Sequence, residues 1–318
     1  MSVYTDLSRS DIVSILAAYD LGNYHAHQGI AAGIENSNFF VDTASGRYVL
    51  TVFERMHVDQ LPYFMHLMRH LAGHGFSCPD VMVRHDGSLL FSIHGGMDDK
   101  WGCIISCLPG RTLERLNEAQ LHDAGRTLAL MHRAGADFGE RRPNPTGFAW
   151  LEARIKGMYG DVAARYGREA AVLLTDELGW QQRQQHDLPG GVVHADYFCD
   201  NILFEGDAVS GVIDFYYACD DAYAMDVAIS LNALAMSVGG EDAPRMQAFL
   251  AGYESVRALQ PIEHEAMSGL LRLAALRFWT SRLFDALYPR EGAMTQIKDP
   301  EEYRLKLLRH RDRDGGTA

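Results

Sequence analysis

Basic residues are in the minority along this chain, where 29 Lys and Arg stand against 42 Asp and Glu for a formal charge of −13. A general nucleic-acid binder wants a basic face, so the balance argues against that class. Cysteine is sparse: the five residues Cys78, Cys103, Cys107, Cys199 and Cys219 are odd in number and include no C-x-x-C pair. That disfavours a disulfide framework or a structural zinc and leads us to expect reduced thiols in a cytoplasmic protein. No apolar run approaches the roughly 18 residues of a membrane span. The opening "MSVYTDLSRSDIVSIL" lacks a basic region followed by a small-residue cleavage site, so neither a membrane partner nor a secretory signal is expected. Internal repeats and low-complexity segments are missing too.

What remains is a chain long enough to bury a sizeable core in one large domain or two modest ones. Its first hundred residues read as strand-rich. "SNFFVD" and "GRYVLTVF" are β-branched and aromatic runs around the turn "TASG", and "DVMVRHDGSLLFSI" reads as a second hairpin about His85-Asp86-Gly87. Between them, "DQLPYFMHLMRHLAGHG" has helical spacing with Gly73 and Gly75 as stop signals. "GCIISC" is a short strand ended by "LPG". Beyond Leu108 helical periodicity dominates, interrupted by strand-like stretches near 191–193, 202–204 and 209–213, and the tail "RHRDRDGGTA" is expected to fray. The predicted architecture is α+β and two-lobed: a small β-rich N-terminal lobe over 1–107 and a larger, mostly helical lobe over 108–318.

Chemistry concentrates in "HADYFCDN" at 194–201 and "GVIDFYYACDD" at 211–221. The stretch "NILFEGDAVSGVID" reads as a hairpin. A turn centred between Asp207 and Ala208 would set Asn201 opposite Asp214, with Cβ atoms about 5 Å apart. An amide oxygen and a carboxylate side by side are hard donors suited to a Mg²⁺ that carries phosphates. Asp196, five residues before Asn201, would overlook the same point. The spacing matches the kinase catalytic loop H-R-D-x-x-x-x-N followed by D-F-G, with Ala195 for Arg and Tyr216 for Gly. Phosphoryl transfer is catalysed mainly by positioning and charge neutralisation, which is why a base and a metal clamp must converge from one rigid element.

The strings "GIENSNFF", "YVLTVFER", "VVHADYFCDNILF", "DFYYAC", "RFWTSRL" and "KDPEEYRLKLLRHR" extend the likeness almost end to end. Through them the chain resembles the homoserine kinases of the aminoglycoside-phosphotransferase and choline-kinase-like superfamily, with its protein-kinase-like fold. The resemblance implies ATP-dependent phosphorylation of L-homoserine, a step of threonine biosynthesis, with ATP and Mg²⁺ as cofactors. It also implies Asp196 as catalytic base, Asn201 and Asp214 as metal ligands, and Asp226 as a brace of the catalytic loop.

The small lobe departs from the broader kinase pattern. Gly29 and Gly33 form only a weak phosphate-loop signal, Thr51 occupies the position of the usual third-strand Lys, and the helix over 61–72 contains no Glu. The turn residues Asn36, Ser37 and Asn38, together with Arg55, are the candidates for holding the phosphates, and adenine is expected against the backbone of Ser106 to Leu108. A zwitterionic amino acid needs an anion and a cation in its pocket. Asp220 or Asp221 could supply the first, and Arg277 or Arg282 the second. Three rivals share parts of this pattern: a kinase of another amino alcohol or an aminoglycoside, a metal-dependent hydrolase using Asp196 with His194, and a non-catalytic protein on a kinase scaffold.

Overall fold

The computed structural model describes residues 5–30, 36–93, 99–184, 186–237, 240–289 and 298–315. The chain divides into two compact units, Met1–Pro109 and Gly110–Arg290 with Ile297–Ala318.

The first unit is built on an antiparallel sheet whose strands are β1 (Tyr24–Gly29), β2 (Asn36–Thr43), β3 (Gly46–Phe53), β4 (Phe91–Ile93) and β5 (Lys100–Ser106), in the order β1-β2-β3-β5-β4. The β2–β3 hairpin turns at Ala44-Ser45, with Thr43 opposite Gly46, as the "TASG" signal requires. Alternation then sends Phe39, Val41, Leu50, Val52 and Ile104 to one face, where helix α1 (Arg9–Leu16) covers them with Ile12 and Leu16. Helix α2 (Leu61–Gly73) buries Leu61, Phe64, Met65, Leu67, Met68 and Leu71, and the left-handed Gly75 follows its end. The second predicted hairpin is corrected. A turn does form at Arg84–Ser88, but Val81 bridges Ile105 while β4 pairs with residues 100–102, so both arms lie along β5 and not against each other.

The second unit is helical: α3 (Glu118–Ala134), α4 (Phe148–Tyr166), α5 (Arg168–Gln181), α6 (Tyr223–Ser230), α7 (Ala243–Glu254), α8 (Pro261–Leu287) and α9 (Glu301–Arg313). Helices α4, α5, α8 and α9 share a core that includes Leu151, Ile155, Leu174, Leu276, Trp279 and Tyr303. Helices α3 and α7 approach so closely that a Cβ on Gly125 would lie 2.0 Å from the Phe249 carbonyl oxygen, and one on Gly252 would lie 1.8 Å from that of His122. The fraying expected over 309–318 is corrected for residues 309–313, since α9 continues to Arg313 and buries His310, and residues 316–318 lie outside the described residues. Two short ladders are set into these helices. β6 (Gly190–Val193) pairs with β9 (Cys219–Ala222), and β7 (Ile202–Glu205) pairs with β8 (Ala208–Val212). Among the described residues, no helix is long and apolar enough to cross a membrane.

Candidate active site

The candidate loop leaves β6 at Val193 and re-enters the β7–β8 hairpin at Ile202. Its course is held from beneath by Asp226, in the first turn of α6. One carboxylate oxygen accepts from the amide of His194 (2.8 Å) and the other from the amide of Ala195 (2.9 Å). The His132 ring approaches the same carboxylate at 3.1 Å and bonds to the Tyr253 hydroxyl through its other nitrogen. Burial pushes the Asp226 carboxyl up, but His132 and the donors from the loop outweigh it and hold the group below the ordinary carboxylate range.

His194 is fully buried. Its Nε2 donates to the Ile213 carbonyl (3.0 Å) and its Nδ1 accepts from the Asp196 amide (3.3 Å), so both ring nitrogens are engaged by main chain. Burial drives its pKa down, and the ring is a neutral strut between the two halves of the site. That geometry removes the support for the hydrolase rival, which required His194 to be free to act.

Ala195 and Asp214 are the non-glycine residues with positive φ among those described, at 62° and 66°. Such a conformation costs an L-residue about 1–2 kcal/mol. The Ala195 carbonyl accepts from Arg277 Nη1 at 2.7 Å, and Arg277 Nε donates to the Thr146 hydroxyl at 2.8 Å. With 4% of its surface exposed, Arg277 is a fixture of the loop and not a cation open to a ligand. Asp196 follows, half-buried, and burial raises its carboxyl above the usual value against the pull of Arg277 and Lys298 and the hydrogen bond from Asn201. Asn201 Nδ2 donates to both the Asp196 main-chain carbonyl (2.8 Å) and its carboxylate (3.1 Å). The amide is thereby oriented, and among the described residues its Oδ1 is left as an acceptor with no hydrogen bond.

The predicted hairpin register is corrected by one residue. The turn is the pair Gly206-Asp207, Ile202 lies opposite Val212, and the register shifts between Leu203 and Phe204. Asn201 therefore meets Ile213, whose amide donates to its carbonyl at 3.0 Å, and Asp214 is the next residue, at the left-handed bend that leaves the hairpin. An amide oxygen with no protein donor and a carboxylate one residue past its cross-strand neighbour are a donor set that fits Mg²⁺.

Of the residues expected to meet substrate, Asp220 is paired with Arg141 (2.6 Å) and accepts from the Arg142 amide. Asp221 accepts from Asn144 Nδ2 (2.5 Å) and the Ala222 amide, and burial raises its carboxyl. Both carboxylates tie β9 to the 141–144 segment. Arg282 differs: it pairs with Glu302 at 2.7 Å and donates to the Asp299 carbonyl.

In the first unit, Asn36, Ser37 and Asn38 open β2 and do not form a turn, which corrects the expectation; Gly33, Ile34 and Glu35, also part of the expected phosphate loop, lie outside the described residues. Ser37 is buried, donating to Glu54 (2.5 Å) and accepting from the Thr5 amide, so its hydroxyl belongs to an anchor completed by the Lys100–Glu54 ion pair. Asn38 Oδ1 accepts from the Thr51 hydroxyl across the β2–β3 ladder at 2.7 Å. Arg55 is exposed just past β3. Ser106 exchanges hydrogen bonds with Asp80 through both amide and hydroxyl, and Cys107 and Leu108 follow the strand's end. Thr51 is buried and bonded to the half-buried Asn38, so Thr51→Lys would overfill the site and bring in a cation that no acidic residue of α2 could meet. We expect that variant to lose about 1–3 kcal/mol in thermal unfolding, with no gain in kcat/KM for ATP.

Sequence reasoning missed the Lys100–Glu54 pair, the Asn144 and Thr146 props and the role of Arg277, because their partners lie 46 to 131 residues away. Residues 26–259 match the profile of the phosphotransferase enzyme family (APH). The chain is 42% identical over 317 residues to a homoserine kinase of Rhizobium meliloti (strain 1021), covering 98% of this chain and 95% of that one. Among solved structures, an amicoumacin kinase in complex with AMP-PNP, Ca²⁺ and Ami superposes with a TM-score of 0.69 at 16% identity, covering 96% and 92% of the two chains. A choline kinase from Cryptosporidium parvum Iowa II gives 0.68 at 12%, covering 96% and 95%. The two-lobed kinase-like fold is thus shared, and with the family profile matched across both units the chain belongs to the phosphotransferase enzyme family (APH) and is a kinase.

Proposed function

We propose that the protein transfers the γ-phosphoryl group of ATP to the side-chain hydroxyl of L-homoserine, yielding O-phospho-L-homoserine and ADP. The reaction class is supported by one contact above all: Asn201 donates to Asp196 and keeps its own amide oxygen for a cation. The substrate is supported by the similarity to homoserine kinases along nearly the whole chain.

In this reading Asp196 accepts the hydrogen bond of the acceptor hydroxyl and takes its proton as the oxygen attacks the γ-phosphorus. The new O–P bond forms as the bond to the β-phosphate oxygen breaks, and ADP leaves with the electron pair. Its burial-raised carboxyl sits closer to neutrality than an ordinary aspartate, which favours a general base. Arg277 and Asp226 fix the main chain on either side of Ala195, so the carboxylate is held before substrate arrives. Asn201 and Asp214 would hold Mg²⁺, which when bound neutralises charge on the transferred phosphates. The main chain past Ser106 would receive adenine, and Asn38 remains as a phosphate donor from β2.

The test is steady-state kinetics with Mg-ATP against L-homoserine, L-serine, choline, ethanolamine and an aminoglycoside, with the product identified by ³¹P NMR. Homoserine is expected to exceed each other acceptor by at least about 100-fold in kcat/KM, within the range that a site built on polar contacts can enforce. Equal or better turnover of a carboxylate-free alcohol would assign the chain to another amino-alcohol kinase.

A further inference from the structure

Beside the candidate loop, within the second unit, lies a cavity of about 310 Å³. That is at the small end of ligand pockets, suited to a molecule of amino-acid size and not to a multi-ring sugar. Its wall includes Phe198, Cys199 and Asp200, two to four residues after Asp196, together with Arg282 from α8 and Glu302 and Tyr303 from α9.

The charges around it do not cancel. Glu302 is bonded to Arg282 at 2.7 Å and to the buried Lys306 at 2.6 Å, and Lys306 also donates to the Asn232 carbonyl. Burial pushes the Glu302 carboxyl up, but the two cations hold it below its ordinary range, so it stays ionised. Two cations therefore share the Glu302 carboxylate, while Asp299, which also lines the cavity, accepts from the Glu301 amide. Lys298 and Asp200 neutralise each other at 3.0 Å. Glu114, exposed on the wall of the same cavity, forms no ion pair among the described residues.

We infer that this cavity is the recognition site for the α-amino-acid end of the acceptor, with Arg282 receiving the carboxylate and Glu114 the ammonium. The assignment rests on the homoserine reading and sharpens it. Arg282 lines the cavity and makes its bonds to Glu302 and the Asp299 carbonyl through the same nitrogen, Nη1, whereas Arg277 is committed through Nε and Nη1 to Thr146 and Ala195. Glu302, itself bonded to Lys306, fixes one nitrogen of the Arg282 guanidinium, which pre-orients the group for a carboxylate.

The experiment compares kcat/KM with Mg-ATP for L-homoserine, for 3-aminopropan-1-ol, which lacks the carboxylate, and for 4-hydroxybutanoate, which lacks the ammonium. Arg282→Ala should lower the homoserine to 3-aminopropan-1-ol ratio about 100-fold, the effect of losing a charged hydrogen bond. Glu114→Gln, at an exposed position that does not endanger folding, should lower the homoserine to 4-hydroxybutanoate ratio about tenfold. Ratios that stay within about threefold of wild type in both variants overturn the assignment. Should Arg282→Ala fail to fold, Arg282→Lys, which keeps the charge and loses the fork, is expected to lower the first ratio about tenfold, and an unchanged ratio is again fatal. A wild type that ignores homoserine but phosphorylates another hydroxy-amino acid refutes the substrate reading and leaves the cavity assignment standing. A wild type active only on carboxylate-free alcohols refutes both.

Discussion

Asp196→Asn is expected to lower kcat by about 10²–10⁴-fold, the usual contribution of a positioned general base. The substitution is nearly isosteric, and the new side chain keeps an oxygen to accept from Asn201 Nδ2, which stands 3.1 Å from the native carboxylate. The loop should hold its shape, so the midpoint of thermal unfolding is expected to stay near that of wild type while ATP binding, measured by calorimetry with a non-hydrolysable analogue, persists. The loss should fall on kcat for homoserine, because the amide can still accept the substrate hydrogen bond but cannot take the proton. Turnover within tenfold of wild type would remove Asp196 from the mechanism.

Asp226→Ala should cost the most in stability, about 3–5 kcal/mol, since it leaves several buried donors unsatisfied at about 1–3 kcal/mol each. The amides of His194 and Ala195 would both lose their acceptor, His132 would lose its partner, and none of these groups can reach water. Urea denaturation at fixed pH measures the loss, and activity should fall with it because Ala195 then has no support on its amide side. The pH dependence of the native protein has the same origin. Asp226 is held below its ordinary pKa, so its contribution is full above the normal carboxylate range and is lost as pH falls through its lower folded value. Buried His132, His194 and His310 are pushed below their ordinary 6.5, the last to about 4. Below pH 6.5 the unfolded chain therefore takes up protons that the native chain refuses, and stability should decline from there toward acid. A stability curve flat between pH 7 and 5 would contradict this accounting.

Much of this was legible in the residues themselves, because the motifs that matter are local. The β2–β3 hairpin announced itself through alternation and its turn, and the loop from His194 to Asn201 through its spacing. The hairpin register failed by one residue for a specific reason. The two-residue turn at Gly206-Asp207, where glycine supplies φ of 65°, moves the pairing by two positions, and the register shift past Leu203 restores one of them. Neither the turn position nor the shift can be counted from the apolar pattern alone. Asn36–Asn38 were misread as a turn because three small polar residues carry turn chemistry, yet they continue a strand whose pairing with β3 decides the matter. Charged residues were hardest. Asp220, Asp221, Arg277 and Arg282 have equal standing as letters, and only tertiary partners separate the three that hold the protein together from the one that lines a cavity.

The left-handed backbone at Ala195 also decides which mutations this loop could survive over evolutionary time. Glycine would enter with no steric penalty, and asparagine or aspartate would tolerate the angle but bring a polar group into a place with only 3% exposure. Valine, isoleucine and threonine are barred twice, by the torsion and by the absence of space. The second position of the His194-Ala195-Asp196 tripeptide is thus a near-binary alphabet of alanine and glycine, set by a backbone angle and independent of any chemistry that the side chain performs.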